Sequence, residues 1–156
     1  MSREDIGERG QWLFSLLITE LHGREKPFFR PRFLGEKYPT FDYLVELADH
    51  PNYFFFAQVK ATTQGYTQDP VRLRVQVSQK DVDRMVANPA PGYLIGIDAN
   101  SFGLGFLLSI KEARDRVASL TTRFQLDSRV LGQLYDEVHA YWSSRDMILK
   151  ASSFQE

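Results

Sequence analysis

Tyr53-Phe54-Phe55-Phe56-Ala57-Gln58-Val59-Lys60-Ala61-Thr62 is apolar on both faces in its first half and carries two polar side chains in its second. A run apolar on both faces reads as a strand buried in the middle of a sheet. Alternation places Gln58 and Lys60 on one face, and Ala57, Val59 and Ala61 on the other. Just upstream, Phe41 to Ala48 reads as a second strand, in which Asp42 and Glu46 share a face. Asp49-His50-Pro51-Asn52 between them is a turn, so residues 41–62 form an antiparallel hairpin. Burying Lys or Asp without a partner is costly. These groups therefore pair with each other, reach an open edge of the sheet, or hold a cation.

Side-chain parity tests that reading. Asp42 shares a face with Gln58 and Lys60 only if the register of the hairpin is even. A two- or four-residue loop centred on His50-Pro51 makes it odd, so the sequence predicts a three- or five-residue loop or a β-bulge.

Working outward, Ser2 and Asp5 look like an N-cap and its N3 acid. They open a helix over residues 4–22, with Ile6, Leu13, Leu16, Leu17 and Leu21 at helical spacing and Gly23 as its stop. Residues 23–40 contain Pro27, Pro31 and Pro39 and read as a loop with a short extended piece at Phe28–Arg30. Val71 to Val77 alternates strictly and predicts a third strand. Ser78 and Asp81 resemble another cap pair, opening a short helix over residues 79–88. Tyr93–Ile97 and Phe102–Ile110 read as strands, Lys111–Ser119 as a charged helix with Glu112 and Arg116 paired, and Asp127–Ser143 as the last helix. Val130, Leu131, Leu134, Tyr135, Val138, Tyr141 and Trp142 make its apolar stripe, which suits the core and could also support a homodimer. A hairpin, a strand, a crossover helix and a further strand predict a mixed sheet flanked by helices.

The chain has 156 residues, the size of one domain, with 19 basic and 20 acidic side chains. Coating nucleic acid by bulk charge needs an excess of Lys and Arg that this balance lacks. The absence of Cys excludes disulfides, zinc knuckles, iron–sulfur clusters and Cys nucleophiles. No apolar run approaches the ~20 residues that span a bilayer, and the polar start is unlike a signal peptide, so no membrane association and a cytoplasmic location are expected. The three His residues show no ligand spacing, and Gly103-Leu104-Gly105 lacks the rest of a dinucleotide fingerprint.

Two features could carry chemistry. Asp42, Gln58 and Lys60 suit a metal-dependent phosphodiester site, in which a carboxylate holds a divalent cation, an amide oxygen supports it and an ammonium positions the attacking water. The same residues also allow a plain Asp42–Lys60 ion pair. In Gly23–Lys37, the bases Arg24, Lys26, Arg30, Arg32 and Lys37 outnumber Glu25 and Glu36 and interleave with Phe28, Phe29 and Phe33. That mixture suits phosphates and stacked bases, or else a loop anchored to the core by its Phe residues.

The order helix–strand(Asp)–strand(Gln-x-Lys)–strand–helix–strand resembles the restriction-endonuclease-like, or PD-(D/E)XK, superfamily, and within it the Mrr-type branch, where Gln replaces the acid of the third motif. Pro39-Thr40-Phe41-Asp42 carries the first half of the motif and Gln58-Val59-Lys60 the second. Phe56 to Thr62 also looks like the matching segment of small prokaryotic proteins of that branch. The resemblance covers residues 1–110 and implies an α/β fold with an αβββαβ mixed central sheet flanked by helices. Residues 111–156 would add C-terminal helices to the same single domain. It further implies Mg²⁺- or Mn²⁺-dependent cleavage of DNA. Asp42 and Gln58 would then bind the metal and Lys60 would assist the water. A Glu from the first helix would fall on Glu8, or on the neutral Gln11 in an alternative alignment. Arg24, Lys26, Arg30 and Arg32 would contact DNA. The competing expectation is a catalytically inactive module that keeps this fold and binds DNA or protein in a defence or mobile-element system.

Overall fold

The computed structural model describes all 156 residues except Ala113, Met147 and Glu156. The elements are α1 (Arg3–Ile18), β1 (Phe29–Phe33), β2 (Tyr43–Leu47), β3 (His50–Thr62), β4 (Arg72–Leu73), α2 (Gln79–Ala87), β5 (Gly92–Asp98), β6 (Gly105–Ser109), β7 (Leu120–Thr121) and α3 (Ser128–Ser143). The protein is mixed α/β. Five strands form one mixed sheet in the order β1-β2-β3-β5-β6, and β4 and β7 form a separate two-stranded ribbon.

The hairpin contains the bulge that parity requires. Tyr43 pairs with Ala57, Leu44 with Phe56, Val45 with Phe55 and Glu46 with Phe54, an even register. The register then shifts, and Leu47 pairs with His50 across a tight turn. β3 is central, antiparallel to β2 on one side and parallel to β5 on the other, with β4 and α2 in the connection to β5.

Two cores lie on the two faces of this sheet. On one face, α1 and α3 cover Tyr43, Val45, Phe55, Ala57, Tyr93, Ile95 and Ile97. On the other, α2 and the β4/β7 ribbon enclose Phe41, Leu73, Val75, Val82, Met85, Leu94 and Leu120. Two close approaches set the layer spacing. A Cβ on Gly10 of α1 would lie 2.5 Å from the Ala61 Cβ, and one on Gly96 of β5 would lie 2.5 Å from Leu120 Cδ2. At Gly10 only glycine lets α1 come this near to the β3 backbone, whereas at Gly96 the near atom is the end of a leucine side chain.

α1 opens with the expected capping box between Ser2 and Asp5. It ends at Thr19, short of the expected stop at Gly23, where the Thr19 hydroxyl turns back to Ser15 O at 2.6 Å; it buries Gly10, Leu13, Phe14 and Ile18, while Leu16 and, beyond the helix, Leu21 stay exposed.

Four sequence expectations change. Val71–Val77 is not the third strand of the main sheet. Its alternation does point Leu73, Val75 and Val77 inward, but only Arg72–Leu73 forms a ladder, with β7, while Val77 makes an isolated bridge to Val117. The place at the sheet edge goes to β1, where Pro31 is tolerated because an edge strand leaves one side of its backbone unpaired. Lys111–Ser119 contains no helix among its described residues. Its apolar side chains are too sparse for a helical stripe, and Val117 and Leu120 fill the second core from extended backbone instead. Glu112 and Arg116 form no ion pair among the described residues. A single helix, α3, therefore stands where C-terminal helices were expected, and its stripe of Val130, Leu131, Leu134 and Val138 is core.

Candidate active site

β2 and β3 part company at Asp42. Below it the strands are paired; above it β3 continues from Gln58 to Thr62 with its β2-facing edge released and β5 on its other side. Asp42 occupies the fork. Its N–H donates to Ala57 O at 2.8 Å, and its carboxylate accepts the Val59 N–H at 2.7 Å. The side chain thus replaces a ladder partner for a backbone donor that would otherwise be unsatisfied.

α2 brings a second carboxylate to the same place. Ser78 caps the helix by accepting the Asp81 N–H at 3.3 Å. The Asp81 carboxylate does not reach back to the cap. Its Oδ1 accepts the Thr40 hydroxyl at 2.8 Å and its Oδ2 accepts Gln58 Nε2 at 3.0 Å. Thr40 is β-branched yet sits at φ 66°, a conformation costing on the order of 1–3 kcal/mol. That strain is held at the residue that orients Asp81.

Gln58 is only 2 % exposed, and its Oε1 is the single buried side-chain polar atom among the described residues with no hydrogen-bond partner. Leaving such an acceptor unpaired costs about 1–3 kcal/mol. Burial pushes the Asp42 carboxyl above its ordinary range; the Val59 N–H and Lys60 pull it down, and Asp81 pushes it up. Lys60 makes no ion pair with any described residue, so the simple Asp42–Lys60 salt bridge is not formed. Lys60 instead lies where two open grooves meet.

The structure therefore brings Asp42, Gln58, Lys60 and Asp81 together. Glu8 lines neither groove at Lys60. Glu8 and Gln11 line a separate groove beside Trp12, Ser15, Phe33 and Tyr43, and Glu46 is held by Arg32 on β1 at 2.6 Å. No protein-family model, curated protein or solved structure matches this chain. The function must be argued from the site itself.

The donors available to a cation are few. Among the described residues there is no group of three or more His, Cys, Asp and Glu side chains placed to hold a metal. Asp42 has an oxygen free of hydrogen bonds to described residues, and Gln58 Oε1 is an unpaired neutral oxygen beside Asp81. That all-oxygen set fits Mg²⁺, which commonly takes one or two protein carboxylates and completes its shell with water and substrate phosphate.

The Gly23–Lys37 segment is largely committed to packing. Phe29 is fully buried against Phe55, Phe28 packs on Tyr135, and the Arg24 guanidinium lies 3.6 Å over the Phe28 ring. Lys26 and Arg30 are exposed, Arg32 is tied to Glu46, and only Phe33 of the three Phe residues is exposed. None of Arg24, Lys26, Arg30 and Arg32 lines the grooves at Lys60.

Asp81 was missed in the sequence because an acid at the third position of a helix is explained by capping and the helix dipole. Nothing local distinguishes it; only the crossover places α2 against Gln58.

Proposed function

We propose that this chain is a nuclease-fold protein of the restriction-endonuclease-like kind that cleaves DNA phosphodiester bonds with Mg²⁺ or Mn²⁺. The observation that carries the reading is the buried Gln58 Oε1 without a partner, on a side chain held by the Asp81 carboxylate and two residues before Lys60, which makes no ion pair with a described residue. The order of elements supports it: a helix, an antiparallel three-strand meander, a crossover helix and a strand parallel to the third. Asp42 and Gln58 Oε1 would hold the ion, with Asp81 fixing the Gln58 amide so that its oxygen faces away from that hydrogen bond. When bound, the ion would polarise the phosphate and supply a water of lowered pKa. Lys60 would orient that water and offset negative charge developing on the phosphate.

The test is incubation of the purified protein with DNA and Mg²⁺ or Mn²⁺, beside Asp42→Ala and Lys60→Ala. Cleavage abolished by both substitutions is expected. Cleavage that survives both overturns the assignment.

One observation favours a second reading. Among the described residues no third carboxylate, His or Cys completes a metal-holding group at the fork. A module that binds DNA or protein without cutting it would show neither cleavage nor a calorimetric signal with Mg²⁺ or Mn²⁺.

A further inference from the structure

The two grooves that meet at Lys60 and Gln76 are unlike in charge to the rest of the protein. The larger, about 610 Å³, is lined by Arg3, Lys60 and Arg74 and by no acid. The smaller, about 450 Å³, is lined by Lys60 and Arg116 against the single acid Asp81. Three arginines therefore converge on Lys60 from three parts of the chain: the first turn of α1, the segment after β4 and the segment before β7.

Three other arginines of the chain are engaged within the fold. Arg9 is spent on Ala99 O at 2.8 Å, Arg72 holds Ser119 through its Nε at 2.8 Å, and Arg32 is paired with Glu46. Arg3, Arg74 and Arg116 make no side-chain hydrogen bond or ion pair with any described residue. A cluster of unpaired guanidinium groups beside open space repels itself, and an anion with several charges relieves that repulsion. Gly7 points the same way. It lies within α1, where glycine costs about 1 kcal/mol against alanine. A Cβ there would meet nothing within 4 Å, yet Gly7 lines the larger groove. Packing does not require this glycine, whereas a side chain in its place would project toward the groove.

We infer that Arg3, Arg74 and Arg116 form a phosphate-binding cleft that seats successive backbone phosphates of a nucleic-acid strand on either side of Lys60. This rests on the reading of the Asp42–Lys60 site given above and names how its substrate is held. It also moves the nucleic-acid contact from Arg24, Lys26, Arg30 and Arg32 to residues far from them in sequence.

The experiment is fluorescence anisotropy of a labelled single-stranded oligodeoxynucleotide, and of the same sequence as a duplex, across a salt series. Arg3→Ala, Arg74→Ala and Arg116→Ala should each weaken binding of at least one form about tenfold. Each should also lower the salt slope by about 0.7 for the single strand or about 0.9 for the duplex. Arg24→Ala with Arg30→Ala should leave both unchanged. Gly7→Gln guards against misfolding: it should weaken binding while raising thermal stability. Unchanged affinity for both forms in all three arginine variants overturns the cleft. Arginine-dependent binding without cleavage under Mg²⁺ or Mn²⁺ overturns the nuclease reading and keeps the cleft. Cleavage whose KM ignores the arginines does the reverse.

Discussion

The carboxylate of Asp42 accepts the backbone N–H of Val59 at 2.7 Å and makes no ion pair with Lys60. One oxygen of Asp42 thus does structural work at the fork between β2 and β3, and its charge remains available for another partner. The two roles separate by substitution. Asp42→Asn keeps an oxygen that can accept from Val59, so it should unfold in urea close to the parent midpoint while losing metal-dependent cleavage. Asp42→Ala leaves the Val59 N–H unsatisfied and should cost about 1–3 kcal/mol in the same urea titration.

Gln58 stands between the Asp81 carboxylate and an unoccupied acceptor of its own. Gln58→Glu places a third negative charge near Asp42 and Asp81. Without metal, like-charge repulsion and the lost Nε2 hydrogen bond should lower the melting temperature by about 5 °C. Mg²⁺ or Mn²⁺ should restore it, with a larger rise than in the parent protein, because the added carboxylate binds the ion in the folded state only. A melting temperature of Gln58→Glu that ignores both ions would show that no cation sits there.

The contact of α1 with β3 depends on Gly10. Gly10→Ala puts a methyl 2.5 Å from the Ala61 Cβ and should destabilise by about 1–3 kcal/mol despite the better helix propensity of alanine. Adding Ala61→Gly should recover part of the loss. At Gly7, where nothing lies within 4 Å, the same change to Ala should stabilise by up to about 1 kcal/mol. Differential scanning calorimetry of the three variants reads both signs.

Three tyrosines predict the alkaline limit of the fold. Burial, then the bond to Asp98, pushes Tyr66 up to about 12; burial, then the bond to Asp49, pushes Tyr135 up to about 12. Burial and Glu137 push Tyr93 further in the same direction. Each folded value lies above the unfolded value of about 10, so the folded state holds protons that the unfolded chain releases. The contributions of Tyr66 and Tyr135 are complete below about pH 10 and are lost as pH rises through about 12, and that of Tyr93 is lost at higher pH still. The urea midpoint should therefore fall above about pH 10, and Tyr66→Phe and Tyr135→Phe should each flatten that fall. An unchanged slope in both variants would refute it.

Much of the fold was legible in local pattern. The capping box at Ser2 and Asp5, the cap at Ser78, the stripe of α3 and the central placement of β3 follow from rules acting within a few residues. So does the bulge, because the parity of Asp42 against Gln58 demanded it. Where local pattern misled, a competing partner won. Val71–Val77 alternates like a sheet strand, but its inward residues serve the second core beside β7. Lys111–Ser119 has charges at helical spacing but no face to bury.

The sequence by itself determined that Gln58 and Lys60 share a face, that Asp42 would share it only through an irregular hairpin, and that basic and acidic side chains nearly balance. Those statements depend on side-chain alternation and composition, which the chain carries at every residue. Only the tertiary structure decided that Asp81 joins Gln58 and that Arg3, Arg74 and Arg116 gather at Lys60. These groups lie tens of residues apart. Their meeting is set by the crossover of α2 and by how closely Gly10 lets α1 approach β3, which no local periodicity encodes.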